Sequence, residues 1–466
     1  MSATIRQLDE QRALTRHQNT IVLLAGIHGM LEFYDQFIIA FVLVLVVKPW
    51  RLTFGESAAV LFSSGIGSII GSFLWGYIAD RYGRRPTLVA IILSYSFASL
   101  LLAFTPAGNW IYFTILRVGV GLGVGGYVVN MALVQEFAPA QKRGWTSGII
   151  SVCAPVGLLL SSAFAAYLTP FIGWRGLFVL GAAPALFAVV ILLYIPESPR
   201  WALEHGQVDV ARKATAWALE MPISALDIKT VEEVRAAKSK WTDIFSYRRS
   251  VATGFLLNLG VVTGVYGLLL WSPTLLVMVQ RVSPETAAKI MIAISLANIF
   301  ARILFSYLSE KIGRRASGAI YCFGGAILLA FTGGVAHGDI GLGSFFWLFL
   351  LFTSFLTDGG FAISGPYTTE IWPSRLRTSG AGFSYGAGSI GKITGPLGLA
   401  LVIGSSNYIS PEATTAKIVP AFLYLAAWYI LAGLTYVFIG FETKGRSLEE
   451  IDQALERGSG KARRDA

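Results

Sequence analysis

The chain has 466 residues, of which 54% are hydrophobic and 14% are charged. Soluble domains carry about a quarter charged residues, so this composition excludes an ordinary soluble protein and predicts that most of the chain lies in lipid. A net charge of +10 would suggest nucleic-acid binding in a soluble protein, but here the basic residues fall between apolar runs, so we expect membrane lipid and no nucleic acid as their partner.

Apolar runs of about 20 residues, long enough to cross a bilayer, recur along the whole chain. The sequence predicts twelve spans, at approximately 20–47, 57–79, 87–105, 110–135, 144–169, 174–195, 251–279, 285–309, 316–335, 343–369, 378–402 and 417–440. A polar linker, 196–250, separates the sixth span from the seventh. We therefore expect an all-α membrane protein with two six-helix bundles, 1–195 and 251–440, and a tail at 441–466.

The first span contains two acids, Glu32 and Asp35, and the fourth contains Arg117. Charges inside a span are costly, by about 2.5–3.5 kcal/mol each, and therefore point to function. A carboxylate in a cavity of low dielectric constant favours its protonated form, and a nearby arginine opposes this, so the group can take up and release a proton as the cavity changes. These three residues are the predicted proton-coupling group; the alternative is a structural Asp35–Arg117 ion pair. His28 either joins the proton path or is a packing residue.

Two motifs of the interspan loops occur twice. The segment GYIADRYGRR at 76–85 returns 230 residues later as SYLSEKIGRR at 306–315. The pattern Glu-x-x-Pro-x-x-x-Arg at 136–143 returns at 370–377, with glutamates 234 residues apart. Two unrelated patterns with nearly one offset indicate a duplicated chain, and duplicated helical bundles are the plan of many secondary transporters.

Lys and Arg are concentrated in one set of short loops. That set contains Arg81, Arg84, Arg85, Lys142, Arg143, Lys311, Arg314, Arg315, Arg375 and Arg377. By the positive-inside rule we expect these loops and both termini to be cytoplasmic, in a multi-pass protein of the inner membrane. Cys153 and Cys322 both fall within spans, so we expect neither a disulfide nor a metal site, and no cofactor.

The loop at 76–85 resembles the signature loop between the second and third helices of the major facilitator superfamily, and 306–315 resembles its degenerate copy. Three further segments resemble the sugar-porter-like branch: Arg117 to Gly123, Pro196 to Trp201, and Glu442 to Glu450. The sequence EFYD at 32–35 resembles the first-helix acids of bacterial metabolite:proton and aromatic-acid:proton symporters. The resemblance implies a transporter rather than an enzyme.

In sugar-porter-like proteins a charged network closes the cytoplasmic side, and the resemblance implies the same latch here. The predicted gating residues are Asp80, Arg81, Arg84, Glu136, Arg143, Glu197, Arg200, Glu310, Arg314, Glu370 and Arg377. We expect Asp80 and Glu310 to accept hydrogen bonds from a helix N-terminus and to pair with a loop arginine. We expect an acid–base network to tie the halves together on this side, formed by Glu136 and Arg143, Glu370 and Arg377, and Glu197 and Arg200. The alternative is that all these charges are solvated topology signals.

The C-terminal half supplies Arg302 in the eighth span, Asp358 in the tenth and Lys392 in the eleventh. Two of the three are basic, which suits an anionic substrate whose carboxylate needs a partner out of water. The glycine-rich setting of Lys392 resembles the eleventh helix of aromatic-acid symporters, with lysine where they have arginine. Two alternatives stay open: a structural Asp358–Lys392 pair, and an Arg302 side chain that snorkels to the membrane surface.

A neutral sugar requires several polar side chains, and the seventh span offers one asparagine, Asn258, and one threonine. The predicted substrate-binding residues are Lys392, Asp358, Arg302, Tyr34, Tyr266, Tyr385 and Asn258. We therefore predict a monomeric carrier that takes up a small organic acid with protons. The alternatives are a sugar or polyol symporter, a proton antiporter and a nutrient sensor that does not transport.

Overall fold

The computed structural model describes residues 7–226, 241–338, 341–373, 376–444 and 455, and its regular elements are all helices. Twelve of these helices are long and apolar enough to cross a membrane, as the sequence predicts. They are α1 (Arg16–Trp50), α2 (Phe54–Tyr82), α3 (Arg84–Ala103), α4 (Trp110–Phe137), α5 (Arg143–Tyr167), α6 (Thr169–Tyr194), α7 (Arg248–Gln280), α8 (Pro284–Ile312), α9 (Arg314–His337), α10 (Gly343–Glu370), α11 (Arg377–Ile403) and α12 (Ile418–Ile439). The prediction of twelve spans is confirmed.

Local sequence signals fix where the first two helices begin. The Thr15 hydroxyl accepts from the Gln18 N–H, and the Gln18 side chain accepts in return from the Thr15 N–H. The same reciprocal capping box joins Thr53 and Glu56 at the start of α2. Each box satisfies N–H groups that a helix terminus otherwise leaves unpaired. The two boxes therefore fix the residues at which α1 and α2 begin.

The helices α1 and α7 form the centre of the molecule. In their most apolar segments 83% and 94% of the residues are buried, more than in any other span of the described chain. The helix α1 packs on α5 and α7, whereas α7 packs on α11 and α12. The two halves meet where α2 packs on α11 and α5 packs on α8. Side chains of α1, α7 and α11 that point inward therefore meet at the boundary between the halves.

Two spans are broken at corresponding places in the duplicated halves. The helix α4 consists of Trp110–Val124 and Tyr127–Phe137, with a break at Gly125. The helix α10 consists of Phe346–Gly359 and Phe361–Glu370, with a break at Gly360. At both breaks the residue is glycine, and the lack of a side chain lets a neighbouring helix approach closely.

The two ends of the bundle differ. One end, the linker face, carries residues 7–15 and the short helices Pro199–Glu204 and Val208–Leu219. The other end, the far face, carries the α1–α2 loop and the α11–α12 loop. A pseudo-repeat of helices that each cross the bundle places the loops alternately on the two faces.

The halves are joined at the far face by main-chain hydrogen bonds. The N–H groups of Phe54 and Gly55 donate to the carbonyls of Asn407 and Ser405, both at 2.9 Å, and Ile409 donates to Leu52 at 3.3 Å. We call this pairing of residues 52–55 with 405–409 the far-face seal. It connects the loop that precedes α2 in the first half to the loop that follows α11 in the second half.

Candidate functional site

Lys392 of α11 lies buried at the boundary between the halves. Its Nζ atom is 3.2 Å from the Ser68 hydroxyl of α2 and lies 5.5 Å and 5.6 Å from the ring centres of Tyr266 and Tyr385. A cation held near two ring faces is stabilised by the ring quadrupoles. The two tyrosines and the serine leave part of the ammonium group's hydrogen-bonding capacity unused, so it is available to a further acceptor.

Five aromatic rings from four helices lie in contact with one another beside this lysine. They form the aromatic cage, which we define as Phe33 and Phe37 of α1, Tyr127 of α4, Tyr266 of α7 and Tyr385 of α11. Tyr127 stacks on Tyr385 with ring centres 6.1 Å apart, and Phe37 stacks on Tyr266 at 5.9 Å, so both stacks cross between the halves. Phe33 meets Tyr127 edge to face at 5.7 Å. The cage offers flat apolar surface around one cation.

Glu32 and His28 of α1 lie beside the cage, and both are fully buried. The Nδ1 atom of His28 is 3.5 Å from the Oε2 atom of Glu32. Neither carboxylate oxygen of Glu32 has a hydrogen-bond partner within the described part of the chain. Glu32 interacts electrostatically with Lys392 across the boundary between the halves. A buried carboxylate without hydrogen bonds is costly, so this one is poised for an incoming partner or a proton.

Asp35 and Arg117 are brought together as predicted, but not as a direct ion pair. The guanidinium of Arg117 donates to the backbone carbonyls of Asp35, at 2.8 Å, and of Gln36, at 3.3 Å. The Asp35 carboxylate accepts instead from the Ser99 hydroxyl of α3, at 2.8 Å. Arg117 therefore fastens α4 to the backbone of α1, and the carboxylate of Asp35 has one oxygen without a partner in the described residues.

Arg302 of α8 and Asp358 of α10 form a buried two-pronged ion pair. The Nε and Nη2 atoms of Arg302 donate to the two Asp358 oxygens at 3.0 Å and 2.8 Å. The Nη1 atom donates to the carbonyl of Ser151 in α5, at 2.5 Å, and so reaches the other half. The alternatives that Asp358 pairs with Lys392 and that Arg302 snorkels are wrong, because the rotation of α8 and α10 turns these two side chains toward each other.

Two predicted substrate-binding residues make contacts within their own half. The hydroxyl of Tyr34 donates to the carbonyl of Leu177 in α6, at 2.8 Å, which places this side chain outside the cage. The amide of Asn258 donates to the Gly254 carbonyl of its own helix, at 2.9 Å. Phe37 was not among the predicted residues, although its spacing of four from Phe33 would have placed both on one helical face.

On the linker face, the charged loop of the first half fastens α2, α4 and α6 to one another. Arg84 donates to Glu136, at 3.1 Å, and to Asp80, at 2.5 Å. The carboxylate of Glu197 accepts from the N–H groups of Arg84, at 2.9 Å, and Arg85, at 3.3 Å, and thereby caps α3. Burial raises the pKa of the Glu197 carboxyl, and these N–H donors oppose the rise. A carboxylate at a helix N-terminus is stabilised by the helix dipole.

The second half has the same arrangement of an arginine, a glutamate partner and a capping glutamate. Arg314 pairs with Glu370 at 3.2 Å. The carboxylate of Glu442 accepts from the N–H groups of Arg314, at 2.9 Å, and Arg315, at 3.1 Å, and so caps α9. The expectation that Asp80 and Glu310 cap these helices is therefore wrong, because the caps come from the segments that follow the last helix of each half. The expected pair between Asp80 and a loop arginine is present, with Arg84. Glu310 itself is exposed.

The expected pairs on the linker face have other partners. Arg143 and Arg200 both donate to Asp9 of the N-terminal segment, Arg200 at 2.7 Å. Glu136 pairs with Arg84, and Glu197 caps α3, so neither acid contacts Arg143 or Arg200 directly in the described structure. Arg81 donates to the Tyr77 hydroxyl at 3.1 Å, and Arg377 donates to the Trp372 carbonyl at 3.5 Å. The ion pairs that Asp9, Arg84 and Arg314 form here each join residues of one half, or of the first half and the linker.

We expect Gly83→Ala to destabilise the first half by about 1–2 kcal/mol. Gly83 has φ 109°, and a Cβ atom there would lie 2.1 Å from an oxygen of the capping Glu197. Thermal unfolding in detergent measures the effect, with Gly76→Ala as the control because a Cβ at Gly76 meets no atom within 4 Å. Equal melting temperatures for the two variants would contradict a structural role for the cap.

The sequence of the chain is similar to those of membrane carriers. The profile of the family described as "Sugar (and other) transporter" matches residues 21–455. The niacin transporter NiaP of Acinetobacter baylyi is 28% identical over 449 residues, which cover 95% of this chain and 98% of that protein. The synaptic vesicle 2-related protein of Xenopus laevis is 25% identical over 461 residues, which cover 93% of this chain and 80% of that protein.

A solved structure supports the fold. The xylose transporter XylE from E. coli, in a partially occluded inward open conformation, aligns with a TM-score of 0.70 at 22% sequence identity. The alignment covers 93% of this chain and 100% of that one. At this identity the likeness shows the arrangement of the helices and does not extend to the residues that bind a solute.

Proposed function

This protein belongs to the sugar (and other) transporter family of the major facilitator superfamily, and from that premise we propose that it takes up a small aromatic monocarboxylate, such as niacin, together with protons. It is a multi-pass integral membrane protein with twelve spans. Its family consists of transporters rather than enzymes. The proposal concerns the solute, the coupling to protons and the residues that perform each task.

The observation that carries the proposal is the single lysine inside a cage of aromatic rings. Niacin consists of one planar ring and one carboxylate. Lys392 supplies a partner for the carboxylate, and the stacked rings, with centres about 6 Å apart across the halves, supply surfaces for the planar ring. The similarity to a niacin transporter over nearly the whole chain supports the same class of solute.

A sugar receives less support from these contacts. A polyol requires several convergent donors and acceptors, whereas the amide of Asn258 is bound to its own helix. Arg302 and Asp358 satisfy each other. We therefore assign these two residues to the framework of the site and not to direct recognition of the solute.

We assign proton coupling to Asp35, with Arg117 as its positioning residue. Asp35 is fully buried in the first half, and Arg117 holds the backbone at the same position of α1. Protonation removes the charge of Asp35 from a site of low dielectric constant, which changes its hydrogen bond with Ser99 of α3 and its electrostatic attraction to Arg117. The rearrangement of α1 against α3 and α4 then accompanies the passage of each proton.

Alternating access follows from the duplicated architecture. We propose that residues 1–195 and 251–440 rock about the aromatic cage, with 196–250 as the linker. The capped charge clusters around Arg84 and Arg314 keep each half rigid while it moves. By the distribution of basic residues the linker face is the cytoplasmic one, in a bacterial-type inner membrane, and the far-face seal is then the external gate of a protein that works as a monomer.

Uptake into proteoliposomes tests this function. We expect labelled nicotinate to accumulate when an inward proton gradient is imposed, with xylose, a dicarboxylate and nicotinamide as the other solutes of the panel. Asp35→Asn should abolish accumulation and retain exchange of nicotinate, because the site remains while the coupling group is neutral. Glu285→Gln, which alters an exposed acid of α8, is the control. Uptake of xylose without a gradient, or full accumulation by Asp35→Asn, would overturn the proposal.

A further inference from the structure

Glu32 has a different environment from the coupling acid Asp35, although three residues separate them. Asp35 faces Ser99 of α3, which also donates to the Phe178 carbonyl of α6, so its surroundings belong to the first half. Gln36, one turn after Glu32, donates to Ser64 of α2 at 3.0 Å. Because α2 is antiparallel to α1, Ser68, one turn after Ser64, lies level with Glu32. Lys392 of the second half donates to Ser68 at 3.2 Å, so Glu32 faces this lysine. The two acids of α1 are therefore directed to two separate tasks.

The ionisable groups that interact with Glu32 lie on six helices. They are His28 on α1, Tyr95 on α3, Tyr127 on α4, Cys153 on α5, Tyr266 on α7, and Tyr385 and Lys392 on α11. Lys392 is the one group of this set that is cationic at neutral pH in its ordinary form. When Glu32 is ionised, its charge therefore offsets the charge of Lys392.

An incoming carboxylate disturbs this balance. The solute would place a second negative charge beside Lys392, in a site where Glu32 is fully buried and Lys392 is only 5% exposed. Two carboxylates that share one such site cannot both remain ionised without strong repulsion, and one of them takes up a proton. Glu32 is the carboxylate that the protein supplies, and its oxygens have no hydrogen bonds in the described chain that would hold the ionised form.

We propose that Glu32 is a built-in counter-anion of Lys392, so that an anionic solute binds this site only together with a proton on Glu32. The inference rests on the proposed function, since it concerns how the same site admits a carboxylate. The binding site itself would then exclude a solute anion that arrives without a proton. The coupling acid Asp35 then acts in the conformational change and not in recognition.

Equilibrium binding to the purified protein tests the counter-anion. Nicotinate and its uncharged amide, nicotinamide, are titrated from about pH 5.5 to about pH 7.5, where a free carboxylic acid stays ionised and lysine stays charged. We expect the Kd of nicotinate for the native protein to rise about tenfold per pH unit above the titration of Glu32. Glu32→Gln should bind nicotinate tightly at every pH, because its side chain imitates the protonated acid.

Two controls separate this role from a structural one. His28→Asn should keep the pH dependence, because the proton resides on Glu32. Nicotinamide should bind Glu32→Gln and native protein equally at each pH. A pH dependence that persists in Glu32→Gln, or a change in nicotinamide binding as large as that in nicotinate binding, would overturn the counter-anion. A native protein that binds no nicotinate at any pH would instead overturn the proposed function, and this inference with it.

Discussion

Asp358→Asn should lower the free energy of unfolding by about 3–5 kcal/mol, because it leaves a buried arginine without its counter-ion. Arg302 is only 7% exposed, and both prongs of its guanidinium depend on the Asp358 carboxylate. An asparagine offers one neutral acceptor in place of two charged ones. Thermal or denaturant-induced unfolding in detergent measures the loss.

The double variant Arg302→Gln with Asp358→Asn should recover most of this stability, since no uncompensated charge remains. An exposed pair provides the matched control: Lys289 and Glu285 are separated by 2.6 Å on the surface of α8, and Glu285→Gln should cost no more than about 1 kcal/mol. If Asp358→Asn proved as mild as Glu285→Gln, the buried pair would not contribute to the framework of the second half.

Lys392→Gln should weaken the binding of nicotinate by about 2–3 kcal/mol, roughly 30- to 150-fold, because the carboxylate loses its charge-assisted partner. Nicotinamide should bind this variant with nearly unchanged affinity, since the cage rings remain and no charge is involved. Lys289→Gln, on an exposed turn of α8, controls for the loss of a positive charge elsewhere. Equal losses for nicotinate and nicotinamide would indicate that Lys392 maintains the shape of the cage and does not bind the solute.

The apolar runs of the sequence were sufficient to place all twelve spans, because a helix in lipid must satisfy its own backbone and therefore has a fixed minimum length. The duplicated motifs also predicted two related halves. What the runs do not contain is the rotation of each helix about its axis. Asp358 could therefore face either Lys392 or Arg302 on sequence evidence alone, and Tyr34 could face either the centre or α6.

The linker-face contacts illustrate a second limit of sequence reasoning. The repeated glutamates and arginines correctly predicted where the charge clusters lie. Their spacing along the chain, however, favoured partners within one loop. The caps of α3 and α9 come instead from Glu197 and Glu442, more than a hundred residues away in sequence. Asp9, which accepts from two arginines, lies in a polar segment without any motif. Such contacts depend on tertiary packing that no local pattern encodes.

The far-face seal has a consequence for how readily the two halves separate at the far face. Its hydrogen bonds use only peptide groups, at Leu52, Phe54, Gly55 and their partners on the other loop. Each bond contributes about 0.5–1.5 kcal/mol, so separating the two loops costs a few kcal/mol. Because this cost resides in the polypeptide backbone, a proline at Phe54 or Gly55, which removes a donor, would lower it directly. A side chain at Gly55 would disturb the same pairing, since its Cβ atom would lie 2.9 Å from the Ser405 carbonyl oxygen.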